Sequence, residues 1–169
     1  MKKILLTGLP GVGKTTIIKK FVQKYKGSCA GFYTEEIREN NVRVGFKLIT
    51  LDGRSCTMAH KSIKSPFQVG KYGVNLECIE ELGVSAIKKA ITGKKIVVID
   101  EIGKMELFSQ KFKDAVIEAF DSECPVLATI LYASNPFCDK IKACNNITIF
   151  EITISNRNTI IKFLLKKFT

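Results

Sequence analysis

The order of apolar and polar positions divides the chain into short apolar runs and segments with helical spacing. The apolar runs at residues 3–7, 95–101 and 125–131, with a further run near 147–154, predict strands. Unbroken runs of this kind are typical of strands buried on both faces, as in a parallel sheet with helices above and below. Apolar residues spaced along one face predict helices at 14–26, 75–93, 136–143 and 156–168, and another that begins near Ser109. The alternation predicts an α/β fold in three layers around a largely parallel central sheet.

The pattern changes between the first and second predicted helices. Residues 31–38, 42–51 and 54–60 have the length and composition of short strands, and the turn sequences Asn40-Asn41 and Asp52-Gly53 separate them. They predict an antiparallel meander that extends or flanks the main sheet. The connection at 61–73 contains a proline and two glycines, so we expect a loop that carries Lys71 and Tyr72.

Composition and charge limit the possible class of protein and the kinds of ligand it can bind. The 169 residues fit a single domain spanning 1–169, which is long enough to bury a core. The net charge of +11 suits nucleotides or nucleic acids, but the lysines are dispersed over predicted helix faces, which favours an ordinary solvated surface. The six cysteines form no C-x-x-C pair, so we expect reduced, largely buried thiols in a cytoplasmic protein. No segment is long enough to span a membrane, and we expect no membrane partner and a monomer.

The stretch from Gly8 to Thr16 fits the pattern G-x-x-x-x-G-K-[ST] at every fixed position, and it lies between a predicted strand and a predicted helix. The glycines allow successive backbone N–H groups to point into one concavity and bind phosphate oxygens. Lys14 is predicted to reach the β- and γ-phosphates, and the Thr15 hydroxyl to ligate Mg²⁺ at the helix N-terminus. The predicted nucleotide-binding residues are Gly8, Leu9, Pro10, Gly11, Val12, Gly13, Lys14, Thr15 and Thr16.

The apolar run at 95–101 ends in two carboxylates, Asp100 and Glu101. Ligands of open α/β sheets bind at the carboxyl ends of the strands, where these side chains fall. We expect Asp100 to hold Mg²⁺, which takes few protein carboxylates and keeps much of its water. Glu101 is predicted to orient or deprotonate an attacking water. Lys104 and Glu106 on the following loop are weaker candidates, and a salt-bridged loop would explain both.

A second cation at the phosphates would stabilise the charge that develops during phosphoryl transfer. Arg38 and Arg43, on opposite arms of the predicted hairpin, are candidates for this role, and a surface position is an equally good interpretation of each. His60 is the only histidine, which argues against a histidine-based triad or metal site.

At this point the sequence resembles the small P-loop nucleoside-triphosphatases of archaea and bacteria, whose vertebrate relative is called the cancer-related nucleoside triphosphatase. The resemblance rests on four segments: 8–16, Gly31-Phe-Tyr-Thr-Glu-Glu-Ile-Arg38 followed by Arg43-Val-Gly-Phe46, Val69-Gly-Lys-Tyr-Gly-Val74, and 100–107. It implies a RecA-like fold and Mg²⁺-dependent hydrolysis of several nucleoside triphosphates to the diphosphate and phosphate. It also implies that the segment after the buried strand contributes to the nucleotide site through Asp100, Glu101, Ile102, Gly103, Lys104, Met105, Glu106 and Leu107.

Three alternatives stay open at this stage. Asp100-x-x-Gly103 also fits the D-x-x-G of switch GTPases, but no N-K-x-D sequence is present to bind guanine, which favours broad base specificity. A nucleoside or nucleotide kinase would use the same loop and metal ligands, but no arginine-rich lid is apparent between Pro125 and Phe150. A nucleotide-gated RNA- or DNA-binding protein is supported only by the charge and by Lys71-Tyr72. The favoured prediction is an enzyme that hydrolyses nucleoside triphosphates.

Overall fold

The computed structural model describes residues 1–169 and places all nine strands in one mixed sheet. The strands are β1 (Lys3–Thr7), β2 (Cys29–Glu39), β3 (Val42–Thr50), β4 (Ser55–His60), β5 (Gln68–Val69), β6 (Tyr72–Val74), β7 (Ile96–Ile102), β8 (Val126–Ile130) and β9 (Ile147–Glu151). Their order across the sheet is β5-β6-β4-β3-β2-β7-β8-β1-β9. Each strand predicted from an apolar run is present, within a few residues at its ends.

One half of the sheet is parallel. β1 lies between β8 and β9, so that Lys3 is in register with Val126 on one side and with Ile147 on the other. β7 pairs in parallel with β8 and also with β2. This arrangement brings the carboxyl ends of β1 and β7 to the same edge of the sheet, with only β8 between them.

The other half of the sheet is the predicted antiparallel meander, in which β2 pairs with β3 and β3 pairs with β4. β2 belongs to both halves, and its junction with β7 is tight at Gly31. A Cβ atom there would lie 1.9 Å from the carbonyl oxygen of Val98, and the φ angle of Gly31 is +130°. Only glycine therefore fits at this position of β2.

The predicted loop at 61–73 is wrong in part, because its second half forms the short hairpin of β5 and β6, and β6 pairs with β4. Tyr72 is buried rather than displayed on a loop, and its hydroxyl accepts a hydrogen bond from Arg43 Nε at 3.0 Å. Of the two glycines that suggested a loop, Gly70 serves the tight turn of this hairpin with a φ angle of +56°, whereas Gly73 lies within β6.

The helical segments are α1 (Lys14–Lys24), α2 (Leu76–Cys78), a π-helical segment (Ile79–Val84), α3 (Ser85–Thr92), a 3₁₀ turn (Glu106–Phe108), α4 (Gln110–Asp121), α5 (Pro136–Lys142) and α6 (Ile160–Phe168). The Asn75 side chain caps α2 and the Ser109 side chain caps α4, at the predicted starts of these two helical segments. None of the helices combines the length and apolar character needed for a membrane span.

Helices cover both faces of the sheet and produce two apolar cores, which confirms the α/β architecture. On one face, α1 and α6 pack through Ile18, Phe21 and Leu164, all fully buried. On the opposite face, the segment from α2 to α4 packs through residues such as Ile79 and Phe112.

The C-terminal elements are shorter than predicted, because residues 152 and 153 are irregular and residues 154–159 form turns instead of extending β9 and α6. Asn156 stabilises these turns. Its side-chain amide donates to the carbonyl of Glu151 at 2.8 Å, and its side-chain oxygen accepts from the N–H of Thr153 at 2.9 Å. Local bonds of this kind replace the ladder and the helix that the apolar pattern alone had predicted.

The prediction that all six thiols are reduced is wrong for one pair. A disulfide joins Cys56 of β4 to Cys78 of α2, with Cα atoms 5.8 Å apart. The fold brings these two residues together, and their wide spacing in the sequence gave no local signal. Cys124 and Cys138 are free and buried, as predicted, whereas Cys144 is free and exposed.

Candidate functional site

The loop between β1 and α1 has the backbone of a phosphate cradle. Gly8, Gly11 and Gly13 have φ angles of +148°, +79° and +109°, a region that residues with a Cβ atom rarely adopt. Gly13 occupies the N-cap of α1, and no side chain caps the helix there. The N–H groups of the first turn are therefore directed at the loop, where the helix dipole also favours an anion.

Lys14 lies within this cradle, with only 9% of its surface exposed. Its Nζ donates to the carbonyl oxygens of Gly8 at 2.8 Å and Leu9 at 3.2 Å. These bonds hold the ammonium inside the concavity rather than in bulk solvent, where its charge would be screened.

Asp100 lies at the end of β7 and is almost fully buried. Its Oδ2 accepts from the Thr15 hydroxyl at 2.8 Å and from the N–H of Thr34 at 3.4 Å, and its Oδ1 accepts from the Thr129 hydroxyl at 2.6 Å. Burial raises the pKa of the Asp100 carboxyl, and the hydrogen bonds from Thr129, Thr15 and Thr34 act in the opposite direction. The four residues bring α1, β2, β7 and β8 together at one carboxylate.

Two further carboxyl groups lie beside Asp100. Burial, followed by repulsion from Asp100, raises the pKa of Glu101, while the charge of Lys14 acts to lower it. Glu106 is 4% exposed, and burial followed by repulsion from Glu101 raises its pKa well above the ordinary value of 4.5. Gly103 leaves the space that Glu101 occupies, because a Cβ atom there would lie 2.5 Å from Glu101 Oε1.

The structure distinguishes the two candidate arginines. Arg43 lies beside the contacting rings of Phe46 and Tyr72, with its guanidinium carbon 5.1 and 5.6 Å from their centroids, and its Nη1 is 3.3 Å from Glu36 Oε1. It faces the phosphate cradle across a cleft. Arg38 donates to Glu36 at the exposed end of the same hairpin and lines neither of the cavities described below.

Two connected cavities of about 630 Å³ each lie above the cradle. The first is polar and is lined by Gly11, Gly13, Thr15, Thr16, Lys19 and Glu35. The second is mainly apolar and is lined by Met58, Val69, Met105, Leu131 and Tyr132. The lining residues that the two cavities share are Pro10, Lys14, Thr34, Arg43, Phe46 and Glu101. Lys14 and Glu101 thus stand at the boundary between a polar and an apolar compartment.

A third, smaller cavity of about 290 Å³ adjoins the polar cavity at Gly13 and Thr16. Its other walls include Arg157 and Asn158 from the turns before α6. Arg157 Nη1 donates to the carbonyl of Val12 at 3.3 Å, which ties these turns to the phosphate loop. The sequence gave no signal for this contact, since the residues were assigned to a helix.

The segment after Asp100 contributes unequally to the site. Lys104, Met105 and Glu106 line the apolar cavity. Ile102 and Leu107 instead point into the apolar core, with 0% and 9% exposure. Neither Lys104 nor Glu106 takes part in an ion pair, so the salt-bridged loop that would have explained both is not formed.

The sequence did not predict two of the hydrogen-bond donors to the Asp100 carboxylate, Thr129 and Thr34. Thr129 is the single hydroxyl residue in the apolar run at 126–130, and this lone polar residue was the available signal. Thr34 contributes its backbone N–H, which no side-chain pattern can reveal. A group of three His, Cys, Asp or Glu side chains that could hold a metal is not present.

The sequence and the fold are both similar to those of known proteins. A family model described as NTPase matches residues 3–165. The nucleoside-triphosphatase THEP1 of Thermotoga maritima is 50% identical over 96% of this chain and 93% of its own length. The human cancer-related nucleoside-triphosphatase is 35% identical over 93% of this chain and 91% of its own. The crystal structure of THEP1 from Aquifex aeolicus, 38% identical, superposes with a TM-score of 0.91 and covers 98% of both chains.

Proposed function

The chain belongs to the NTPase family, and from this premise we propose that it cleaves the γ-phosphate of nucleoside 5′-triphosphates with the help of Mg²⁺, releasing a nucleoside diphosphate and phosphate. The enzyme class itself, nucleoside-triphosphatase, follows from relatives at about half identity over nearly the whole chain. The observation that carries the finer proposal is the contact of 2.8 Å between the Thr15 hydroxyl and the Asp100 carboxylate, beside Lys14.

The residues present fit a magnesium ion. Thr15 and Asp100 offer hard oxygen atoms, and Mg²⁺ takes one or two such protein ligands together with phosphate oxygens and water. A cage of three acidic or histidine side chains is therefore not required. When bound, Mg²⁺ would supply positive charge to the β- and γ-phosphates. The hydrogen bonds from the Thr129 and Thr15 hydroxyls orient the carboxylate.

The phosphate groups fit the polar cavity. Backbone N–H groups of the cradle and the first turn of α1 would bind their oxygens, and the ammonium of Lys14 would exchange its bonds to Gly8 and Leu9 for bonds to phosphate. Arg43 enters the same cavity from the meander, where it can neutralise charge that develops as the γ-phosphate is transferred. Its hydrogen bond to Tyr72 and its ion pair with Glu36 hold the guanidinium in place.

Glu101 is the proposed acceptor for the proton of the attacking water. It lines both cavities beside Lys14, and a raised pKa makes its carboxylate a stronger base than a solvated glutamate. Asp100 is less suited to this role, because hydrogen bonds from Thr15, Thr34 and Thr129 hold both of its carboxylate oxygens in place.

The base fits the small cavity beside Gly13, where Arg157 and Asn158 are the polar residues from the C-terminal turns. A guanidinium can stack on any base, and one amide offers few fixed hydrogen bonds. Broad base specificity is therefore the expected result. It agrees with the absence of an N-K-x-D sequence.

The test is phosphate release from ATP, GTP, CTP and UTP, with and without Mg²⁺, by the parent protein and by Lys14→Ala. We expect all four triphosphates to be cleaved within about tenfold of each other, and the variant to lose turnover because the main counter-charge is gone. Parental turnover in Lys14→Ala, or cleavage of only one triphosphate, would contradict the respective part of the proposal.

A further inference from the structure

The apolar cavity is larger than hydrolysis requires. An attacking water has a share of liquid volume of about 30 Å³, whereas this cavity of about 630 Å³ lies in the range of small-molecule sites. It opens on the far side of Lys14 and Glu101 from the polar cavity, and the small cavity beside Gly13 adjoins only the polar one. A triphosphate with its base beside Gly13 therefore leaves the apolar cavity free.

The lining indicates the chemistry of an occupant. Met58, Val69, Met105 and Leu131 form apolar walls, and the ring of Phe46 lies at the boundary with the polar cavity. Thioether and aromatic groups of this kind favour a flat apolar body.

The charges at the rim do not favour an anion. Arg43 and Lys14 would both be engaged by the triphosphate in the polar cavity, which leaves Lys104 as the remaining cation of the lining. Residues 125–150 contain no arginine that could close over a phosphorylated acceptor. The lining thus suits an uncharged molecule.

We propose that this cavity binds a neutral alcohol with an aromatic or otherwise apolar body, and that the enzyme transfers the γ-phosphate to its hydroxyl group. This inference rests on the proposed position of the triphosphate and on Glu101 as the proton acceptor. The hydroxyl oxygen forms a bond to the γ-phosphorus while the bond from that phosphorus to the bridging oxygen breaks. The electron pair leaves with the nucleoside diphosphate, the hydroxyl proton passes to Glu101, and the second product is a phosphate monoester.

The test follows the γ-phosphate of ATP by phosphorus NMR in the presence of Mg²⁺ and one alcohol at a time. The probes are benzyl alcohol, 2-phenylethanol and thymidine, with glycerol and ethanol as polar or small comparisons. We expect the ratio of phosphate monoester to free phosphate to be at least tenfold higher for the apolar probes at equal concentration. Free phosphate alone with every probe, or an equal ratio for glycerol and benzyl alcohol, would overturn the proposal.

A variant locates the transfer in the cavity. Ala133 lines the apolar cavity with an exposed side chain, so Ala133→Trp adds bulk to the cavity without displacing core residues. We expect the ester-to-phosphate ratio to fall at least tenfold in this variant. Ala143→Trp is the matched control, since Ala143 is also exposed but lies at the end of α5, outside the cavity, and it should keep the parental ratio.

Parental ratios in Ala133→Trp would overturn the assignment to this cavity. The series of alcohols on the parent protein decides the matter even if the variant fails to fold. Failure of the two proposals can be told apart, because phosphate release from ATP without any alcohol tests hydrolysis alone. Normal release together with no ester would refute only the acceptor site.

Discussion

Arg43 provides the sharpest test of the site, because Arg38 on the same hairpin is a natural control. If Arg43 stabilises the charge of the transition state, Arg43→Ala should lower single-turnover cleavage by about 10³-fold or more, which corresponds to roughly 4 kcal/mol. Binding of Mg²⁺-triphosphate should change by less than about tenfold, since the contact strengthens mainly as charge develops.

The expected loss of folding stability in Arg43→Ala is smaller than the kinetic effect. The side chain makes one hydrogen bond to Tyr72, one half-exposed ion pair with Glu36 and a contact with the ring of Phe46. At about 1 kcal/mol or less for each, their removal costs roughly 1–3 kcal/mol of unfolding free energy. The variant should therefore remain folded under assay conditions, and a slow rate would report chemistry.

The assay is single-turnover cleavage of ATP with enzyme in excess, beside a direct measurement of nucleotide affinity and a urea unfolding curve. Arg38→Ala removes an ion pair with the same Glu36 carboxylate but lies outside both cavities, so its rate should stay within about twofold of the parent. Equal losses in the two variants, or less than a twofold loss in Arg43→Ala, would refute the role of Arg43.

Three further predictions test other parts of the structure. Glu101→Gln should bind Mg²⁺-ATP like the parent but cleave it about 10²- to 10⁴-fold more slowly, whereas Asp100→Asn should lose metal affinity first. Isothermal titration calorimetry and single-turnover rates distinguish the two effects. Cleavage at the parental rate by Glu101→Gln would exclude Glu101 as the general base. Gly31→Ala should lower the unfolding free energy by about 3 kcal/mol or more, because its Cβ would overlap a carbonyl of β7. Gly53→Ala, which has open space around it, should lower the unfolding free energy by less in the same urea titration. Similar losses in both variants would contradict the steric explanation. Glu106 has a raised pKa in the folded state, so the stability contributed by its neutral form is fully present below the ordinary pKa of 4.5 and is lost as pH rises through the folded pKa. Glu106→Gln should therefore reduce the decline of the unfolding free energy with rising pH, measured in unfolding curves across pH. An unchanged decline would contradict the raised pKa of Glu106.

The sequence was sufficient for the parts of the site that depend on local chemistry. Gly8 and Gly13 at a fixed spacing from Lys14 predict a phosphate cradle wherever they occur between a strand and a helix. Asp100 was likewise predicted from its place at the end of an apolar run. Its hydrogen bond to Thr15 follows from the general rule that ligand-binding groups gather at the carboxyl ends of parallel strands.

What the sequence could not predict depends on contacts between distant segments. The position of Arg43 at the cleft depends on its hydrogen bond to Tyr72, which the pattern had placed on a loop and the structure buries. The approach of Arg157 to Val12 and the Cys56–Cys78 bond arise in the same way, from elements that meet only in the folded chain. Local sequence patterns do not show which distant segments come into contact in the folded chain.

The position of β1 in the sheet has a consequence for the order in which the molecule can assemble. β1 precedes every other strand of the sheet in the chain, yet its only neighbours are β8 and β9, which Lys3 meets at Val126 and Ile147. Until most of the chain has been synthesised, both edges of β1 lack a partner strand, and the phosphate loop that follows β1 is not anchored to the sheet. Pairing across such sequence distances is slow compared with local hairpin formation. The earliest motif in the sequence is thus among the last to acquire its native surroundings, and nucleotide binding should appear late in refolding, after the β2–β3 hairpin has formed.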